Sequence, residues 1–239
     1  MQVVILAAGR GERFVSNGVM TPKPLLPARG RTMIQHALVQ ASEIIKTPVV
    51  VCLVDLYSEL HKQTPKNMHP IRVPIRFVQK GAAMSLLAAS GVIRDTDPVL
   101  VMDCDTIFKS GVLAKFSEFS EACFKSGVQS SMLCFRPKDD SERYSFVIMK
   151  DHLVTQVVEK QRISGIASCG VHAFQSWELA KRAIYEMVIL STMTNGEYYL
   201  APCHNNLQLT TAMVIAADEF NHVGTPAELE AYEQAVPKA

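Results

Sequence analysis

Short apolar runs alternate with amphipathic stretches along the first half of the chain. The runs are apolar at consecutive positions, as in strands buried between two layers of helices, and they cover residues 2–8, 48–55, 73–79, 98–105 and 128–135. Helical patterns lie between them, at 32–45, 82–93 and 110–126. The first helix begins with Thr32 and carries Gln35 three residues later, the pattern of a capping box. This alternation predicts an α/β fold with a doubly wound, mostly parallel sheet.

Beyond residue 135 the rhythm changes to strands with short polar turns between them. These strand patterns cover 143–150, 153–160 and 166–174, and they indicate a β-meander or a mixed extension of the sheet. Helical patterns follow at 176–190 and around 197–209, and then a strand at 211–217. The last helix starts clearly, with Thr225 as N-cap, Pro226 at its first position and Glu228 three residues after the cap. Because no repeat or linker divides the chain, we expect a single domain over residues 1–239.

The charge balance limits the kinds of partner. Lys and Arg number 24 and Asp and Glu number 23, and no basic stripe stands out, so we expect no nucleic-acid partner. The six cysteines are scattered without metal-ligand spacing, which indicates reduced thiols in the core. No apolar stretch approaches the roughly 20 residues that span a bilayer, and the N-terminus lacks a signal-peptide pattern. We therefore expect a cytoplasmic protein without a membrane partner.

A glycine-rich loop follows the first predicted strand. In ILAAGRGERF, Gly9 and Gly11 allow a tight turn, and Arg13 adds a positive charge. Lys23 follows between two prolines, which predict an extended loop. Backbone N–H groups and two cations would suit a polyphosphate, although a solvated surface loop has the same composition. A Rossmann dinucleotide site is disfavoured, because Phe14 stands where the third glycine would be.

Carboxylates follow two other predicted strands. Asp103 and Asp105 alternate after an apolar run, so both could face one site and hold Mg²⁺ through oxygen ligands. A strand-end turn would also explain them. Glu159 and Lys160 end a later apolar strand, where a solvated ion pair is the simpler interpretation. Together with the glycine loop, however, these residues indicate a site for phosphate and metal.

In their order, these motifs resemble those of the nucleotidyltransferase family, the nucleoside-diphosphate-sugar pyrophosphorylases. The resemblance covers nearly the whole chain, through LAAGRGERF, PKPLLP, D-x-D, EK and GTPxEL. It implies a single-domain α/β fold with a mixed sheet, Rossmann-like and GT-A-like. It also implies a nucleotide-binding half at 1–135 and an acceptor-binding half at 136–239.

The resemblance implies a reaction and its reactants. The phosphate of a small acceptor attacks the α-phosphorus of a nucleoside triphosphate, and pyrophosphate leaves. The implied nucleotide is CTP, dTTP or UTP, and the acceptor is a sugar 1-phosphate or another small phosphate ester. Mg²⁺ is the implied cofactor, with Mn²⁺ as an alternative, and the implied setting is polysaccharide or other envelope synthesis. A homo-oligomer stays open.

The same resemblance assigns roles to individual residues. Backbone atoms at four positions would line the nucleotide, and two further residues would contact its base; these are Ala7, Ala8, Gly9 and Gly11, and then Gln79 and Gly81. Three cations would act on phosphates: Arg13 and Lys23 on the triphosphate, and Lys160 on the acceptor. Acceptor contacts would also come from Glu159, Glu197 and Tyr198, and Asp105 would bind Mg²⁺.

Two departures from the family pattern affect these expectations. His222 stands where many members have a second metal-binding aspartate, and histidine suits Mn²⁺ better than Mg²⁺. Asp103 or Asp218 could then compensate, or one metal could suffice. Ser145 replaces a glycine of the sugar-using members, which makes a hexose phosphate less favoured. Two alternatives stay open: a metal-dependent glycosyltransferase, which also uses D-x-D, and an inactive nucleotide-binding regulator.

Overall fold

Buried strands and amphipathic helices alternate along the chain in the computed structural model, which describes residues 1–235. The strands are β1 (Gln2–Ala7), β2 (Pro27–Ala28), β3 (Arg31–Thr32), β4 (Val49–Leu53), β5 (Ile71–Ile75), β6 (Val99–Asp103), β7 (Thr106–Phe108), β8 (Ser130–Phe135), β9 (Ser145–Lys150), β10 (Leu153–Glu159), β11 (Ala167–Phe174), β12 (Thr210–Ile215) and β13 (Phe220–His222). The α-helices are α1 (Glu12–Val15), α2 (Met33–Ala41), α3 (Tyr57–Lys62), α4 (Ala82–Leu86), α5 (Val112–Lys125), α6 (Trp177–Ile189) and α7 (Pro226–Gln234). Short 3-10 helices cover Lys23–Leu25, Val54–Leu56, Leu87–Gly91 and Ala201–Asn206.

Nine strands form one mixed sheet in the order β5-β4-β1-β6-β11-β8-β12-β10-β9. The neighbours from β5 to β6 are parallel, and so are β8 and β12. Every pair that contains β11 or β10 is antiparallel. The parallel pairing predicted for the first part of the chain is found from β5 to β6, and the mixed extension predicted beyond residue 135 is found in the antiparallel pairs of β9, β10 and β11. A strand buried on both faces has the same apolar pattern in either direction, so the sequence did not reveal that β11 runs backwards.

Helices cover both faces of the sheet, as the doubly wound pattern predicts. Along β1, Val3 and Ile5 pack in a cluster with α2, α3 and α5, whereas Val4 and Leu6 pack in another cluster with α4 and α6. Burial on both sides explains why the strand is apolar at consecutive positions. The sheet takes strands from both predicted halves, 1–135 and 136–239, although residues 236–239 lie outside the described part of the chain.

The predicted helix starts are confirmed. The Thr32 hydroxyl accepts a hydrogen bond from the Gln35 backbone N–H, and the Gln35 side chain accepts one from the Thr32 N–H, which completes the capping box. At the start of α7, the Thr225 hydroxyl accepts from the Glu228 N–H, with Pro226 at the first helical position. Among residues 1–235, no helix combines the length and apolar character needed to cross a bilayer.

Several local details differ from the prediction. The segment around Lys23 forms a 3-10 turn rather than an extended loop, and the segment around Pro202 is also a 3-10 helix. The strand predicted at 73–79 ends at Ile75. The sequence also did not predict the short antiparallel pair of β7 and β13, which places His222 opposite Thr106. Three-residue strands carry too little periodicity to be recognised.

Gly81 supports the segment that leads into the candidate site. Its φ is +101°, and a Cβ atom there would lie 2.7 Å from the backbone nitrogen of Tyr198. That nitrogen donates to the Lys80 carbonyl (2.9 Å), and the Tyr198 carbonyl accepts from the Ala83 N–H (3.1 Å). A side chain at position 81 would therefore push these two backbone segments apart.

We expect Gly81→Ala to lower the free energy of unfolding by about 2 kcal/mol or more, from backbone strain and the clash with Tyr198. The matched control is Gly91→Ala, because a Cβ at Gly91 meets no atom within 4 Å. Urea denaturation would measure both variants. Equal stability of the two variants would contradict the close packing of Gly81 on Tyr198.

Candidate active site

Two adjoining cavities open beyond the carboxyl ends of β1 and β6, where ligands bind in open α/β sheets. The larger cavity has a volume of about 530 Å³ and the smaller one about 220 Å³. Their common wall contains side chains from both halves of the chain: Arg13, Asp103, Asp105, Lys160 and Tyr199. A ligand in one cavity can therefore reach a ligand in the other across a wall of charged groups.

The glycine loop lines the larger cavity. Ala8, Gly9 and Gly11 lie on its wall, as do the predicted base-contacting residues Gln79 and Gly81. Ala7 was predicted to contact the nucleotide through its backbone; it is not among the residues on the walls of the two cavities, and the backbone contact stays a prediction. Its side chain is buried in the core on the opposite face, because successive residues of a strand alternate in direction.

Gly11 allows the loop to approach the lysine segment. Its φ is +66°, and a Cβ there would lie 2.8 Å from the Cβ of Lys23. Lys23 begins its 3-10 turn at this point and donates a hydrogen bond from Nζ to Oδ2 of Asp105. The side chains of both partners are only 20% exposed. The glycine loop and the end of β6 are thus joined by a partly buried ion pair.

The ion pair separates the ionisation of the two aspartates. Burial alone would raise the pKa of Asp105, but the Lys23 ammonium outweighs burial and holds the pKa below its ordinary value. Burial, and next the charge of Asp105, raise the pKa of Asp103 to about 7. Burial would lower the pKa of Lys23, yet Asp105 keeps it above the ordinary value. Two neighbouring carboxylates thus differ in their affinity for protons.

Two glycines that sequence reasoning missed leave room for these carboxylates. A Cβ at Gly170 would lie 2.8 Å from Oδ2 of Asp103, and Gly170 has a φ of +79° where β11 bulges against β8. A Cβ at Gly224 would lie 2.5 Å from Oδ2 of Asp105. Gly224 belongs to the GTPxEL motif, so its place in that motif was the available signal.

Asp103 and Asp105 offer the oxygen ligands that Mg²⁺ or Mn²⁺ prefers, and both carboxylates face the cavities. The third predicted ligand, His222, does not join them: within residues 1–235, no three His, Cys, Asp or Glu side chains come together as a metal site. His222 is held by the β7–β13 ladder, stacks on Tyr144 (5.7 Å between ring centroids) and directs Nδ1 to the Thr106 hydroxyl (3.3 Å). The residues therefore fit a metal held by two carboxylates and by a ligand's own oxygens.

Glu159 and Lys160 end β10 at the smaller cavity. Glu159 lies opposite Ser145 in the ladder, and its Oε2 accepts a hydrogen bond from the Ser145 hydroxyl. Burial raises the pKa of Glu159, although that hydrogen bond opposes the shift. Lys160 has a φ of +53°, an uncommon value for a residue with a side chain and one that is frequent at functional sites. It directs Nζ to the Tyr199 hydroxyl and lies 4.3 Å from that ring's centroid.

Two predicted acceptor contacts need correction. Tyr198 does not line either cavity, because its side chain packs in the core beside α6. The next residue, Tyr199, lines both cavities instead. Glu197 lines the larger cavity rather than the smaller one. The segment before the 3-10 helix at Ala201 has no regular period, so no sequence pattern distinguishes Tyr198 from Tyr199.

The cations around the cavities fall into two groups. Lys23 is paired with Asp105, and Arg143 is paired with Glu228 at 2.8 Å. Arg10, Arg13 and Lys160 have no carboxylate at ion-pairing distance within the described residues; Arg10 lines the larger cavity, and Arg13 and Lys160 lie on the common wall. Arg143 and Glu228 line the smaller cavity and were not predicted. A cation in a cleft that has no carboxylate partner can bind an anionic ligand without first losing an ion pair.

A family model for the MobA-like NTP transferase domain matches residues 3–166. The chain is 30% identical over 244 residues to the bifunctional protein GlmU of Azorhizobium caulinodans, covering 95% of this chain and 48% of that protein. It is 30% identical over 207 residues to the same-named protein of Xanthobacter autotrophicus, covering 83% of this chain and 44% of that protein. The chain thus spans about half the length of the curated relatives it matches.

The fold is similar to that of a nucleoside-diphosphate-sugar pyrophosphorylase from Vibrio cholerae. The TM-score is 0.82 at 21% identity, and the match covers 98% of this chain and 100% of that chain. At this identity the likeness establishes the fold, which confirms a mixed α/β architecture.

The Lys23–Asp105 pair leads to a prediction about metal binding. A divalent cation and the Lys23 ammonium compete for the same carboxylate, so we expect Lys23→Met to strengthen Mn²⁺ binding to the ligand-free protein by about tenfold or more. Electron paramagnetic resonance of free Mn²⁺ would measure the affinity.

The matched control is Lys109→Met, which removes a surface ion pair to Asp218 and should leave Mn²⁺ affinity unchanged. Adding Asp105→Asn to Lys23→Met should abolish the gain. An unchanged affinity in Lys23→Met would exclude Asp105 as the carboxylate that holds the metal.

Proposed function

The chain belongs to the MobA-like NTP transferase domain family, and we propose that it transfers a nucleoside monophosphate from a nucleoside triphosphate to a small phosphorylated acceptor, releasing pyrophosphate. The observation that carries this proposal is the pair of unpaired cations, Arg13 and Lys160, on the wall between two cavities. One cavity would hold the triphosphate and the other the acceptor, and the phosphates of both would meet at these cations. A reaction that joins two substrates through their phosphates needs a place where both phosphates are held next to each other.

The larger cavity suits the nucleoside triphosphate. Its wall includes the glycine loop, Lys23, Gln79 and Gly81. Backbone N–H groups and cations in a turn can hold a polyphosphate, and the region of Gln79 would meet the base. CTP, dTTP and UTP are the proposed nucleotides.

The smaller cavity suits the acceptor. Glu159 and Lys160 lie at its edge, so Lys160 would bind the acceptor phosphate while Glu159 faces the rest of the molecule. The acceptor would be a sugar 1-phosphate or another small phosphate ester. The Ser145 hydroxyl already occupies one oxygen of Glu159, which leaves fewer acceptor sites for the hydroxyls of a hexose.

The chemistry is a displacement at phosphorus. An oxygen of the acceptor phosphate attacks the α-phosphorus, and as that P–O bond forms the α–β phosphoanhydride bond breaks, its electron pair leaving with pyrophosphate. Arg13 and Lys23 would bind the charge that develops on the leaving group, and Lys160 would hold the attacking phosphate in line. Mg²⁺ or Mn²⁺ held by Asp103 and Asp105 would supply further charge neutralisation. No protein nucleophile is needed.

Pyrophosphate release is the deciding experiment. CTP, dTTP, UTP, ATP and GTP would each be combined with glucose 1-phosphate, glycerol 3-phosphate and other small phosphate esters, with Mg²⁺ or Mn²⁺. We expect pyrophosphate only when one pyrimidine nucleotide and an acceptor are both present.

We also expect Lys23→Ala to slow turnover by about a hundredfold or more, the effect of losing one charge-stabilising donor.

The same experiment separates the alternatives. A glycosyltransferase would consume a nucleotide sugar without releasing pyrophosphate from a triphosphate. An inactive regulator would bind nucleotide, detected as a thermal shift, and release nothing. Either result would reject the proposed transfer reaction.

Lys160 allows a sharper prediction about the acceptor cavity. We expect Lys160→Met to raise the KM for the acceptor by about 30-fold or more and to leave the KM for the nucleotide within about threefold, because one charge-assisted contact to the acceptor is lost. Steady-state kinetics with each substrate varied would measure both constants. The control is Lys150→Met, at the exposed end of β9. An unchanged acceptor KM would remove Lys160 from the acceptor site.

A further inference from the structure

A buried histidine forms the floor of the smaller cavity. In the pairing of β11 with β6, His172 lies beside Val101, and Val171 lies beside Met102. Gly170 therefore faces Asp103, and His172 lies two residues deeper on the same face of the sheet. His172 lines the cavity although it is only 4% exposed.

One nitrogen of His172 is committed to a buried hydrogen-bond chain. Its Nδ1 is joined to Nε2 of His204 (3.0 Å), and Nδ1 of His204 is joined to the Ser130 hydroxyl (2.8 Å). The Ser130 hydroxyl in turn meets the Thr210 hydroxyl at 2.7 Å. His204 also stacks on Phe174, with ring centroids 4.9 Å apart. This chain fixes the orientation of the His172 ring.

The other nitrogen, Nε2, has no hydrogen-bond partner among residues 1–235, and it is not one of the polar atoms that the fold seals off without a partner. It is therefore the polar atom that the ring presents to the cavity. Burial lowers the pKa of His172 to about 3 and that of His204 well below its ordinary value, so both rings are neutral near pH 7.

A neutral imidazole nitrogen binds a different kind of group from the anions that the cations on the common wall would bind. It donates or accepts one hydrogen bond, and it does not neutralise a charge. Arg13 and Lys160, on the wall that the two cavities share, are charged and would bind anions instead. A ligand that offers Nε2 no partner leaves this nitrogen without a hydrogen bond in a desolvated place, which weakens binding. A ligand that buries a charge there is weakened further.

We propose that His172 determines acceptor specificity by binding, through Nε2, an uncharged hydroxyl or amide at the end of the acceptor remote from its phosphate. This inference rests on the proposed function for the identity of the ligand. The acceptor is then a phosphate ester with a neutral polar group at its other end, rather than an alkyl or charged terminus.

Two substitutions separate this role from a purely structural one. Asn places its amide near the position of Nδ1, so His172→Asn keeps a partner for His204 and loses the group that faces the cavity. Gln reaches the position of Nε2, so His172→Gln keeps the cavity-facing group and loses the bond to His204. Each variant therefore removes one of the two hydrogen-bonding groups of His172 and keeps the other.

The probes are a matched series of three-carbon phosphate esters that differ only at the terminal carbon. They are n-propyl phosphate, 3-hydroxypropyl phosphate, the corresponding terminal amide and the corresponding terminal carboxylate, with glucose 1-phosphate added as a larger hydroxylated ester. Calorimetric titration of the folded protein would measure the affinities. We expect the hydroxyl or amide ester to bind about tenfold or more tightly than the propyl and carboxylate esters.

We expect His172→Asn to lose this preference and His172→Gln to retain most of it, while both keep nucleotide affinity. If the natural protein shows no preference for a neutral polar ester, or if His172→Asn retains the preference, the assignment is overturned. Loss of the preference in His172→Gln but not in His172→Asn would also overturn it, because the Nδ1 bond would then be what matters.

The outcome is separable from that of the proposed function. If no nucleotide yields pyrophosphate but the ester preference exists and disappears in His172→Asn, the transfer reaction is wrong and the binding role of His172 stands. If pyrophosphate is released and the preference is insensitive to His172→Asn, the reaction stands and the role of His172 fails.

Discussion

The ion pair between Lys23 and Asp105 joins the parts of the chain from which the candidate site is built. Gly11 brings the glycine loop against the base of the Lys23 side chain, and Gly224 brings the loop before α7 against the Asp105 carboxylate. Neither glycine can gain a Cβ without moving the pair, because the Cβ would lie within 3 Å of it. Segments from the start, middle and end of the chain therefore depend on one partly buried contact. A buried charge left without its partner is strongly unfavourable, which makes this contact hard to change in isolation.

The sequence predicted the fold best where local physics decides. Consecutive apolar residues predicted the central strands. The capping residues Thr32 and Thr225 predicted the helix starts, because hydrogen bonds between residues within four positions of each other determine where these helices begin. The direction of β11 and the pairing of β7 with β13 depend on contacts far apart in the chain, and no local pattern encodes them.

For the candidate site, residue types at strand ends indicated the right region, and the structure places most of the predicted residues on the cavity walls. Tyr199 lies on the cavity walls and Tyr198 does not, because the side a residue faces depends on a backbone phase that the motif does not specify. Gly170 was missed because its importance comes from the Asp103 carboxylate, 67 residues earlier in the chain.

The cations of the site differ in whether they already have a carboxylate partner, and so in how a phosphate could bind to them. Arg13 and Lys160 have no carboxylate at ion-pairing distance in the described chain, so an incoming phosphate would meet them without displacing a carboxylate, although Lys160 also donates to the Tyr199 hydroxyl. Lys23 already donates one of its N–H groups to Asp105, so a phosphate that binds Lys23 would either share this ammonium with the carboxylate or replace the carboxylate. Replacement of the carboxylate would be favourable only if Asp105 gained another cation at the same time, since otherwise a partly buried carboxylate would be left alone. In the proposed reaction, a cation at Asp105 would therefore favour the transfer of Lys23 to the triphosphate, and Arg13 would attract the phosphates without such an exchange.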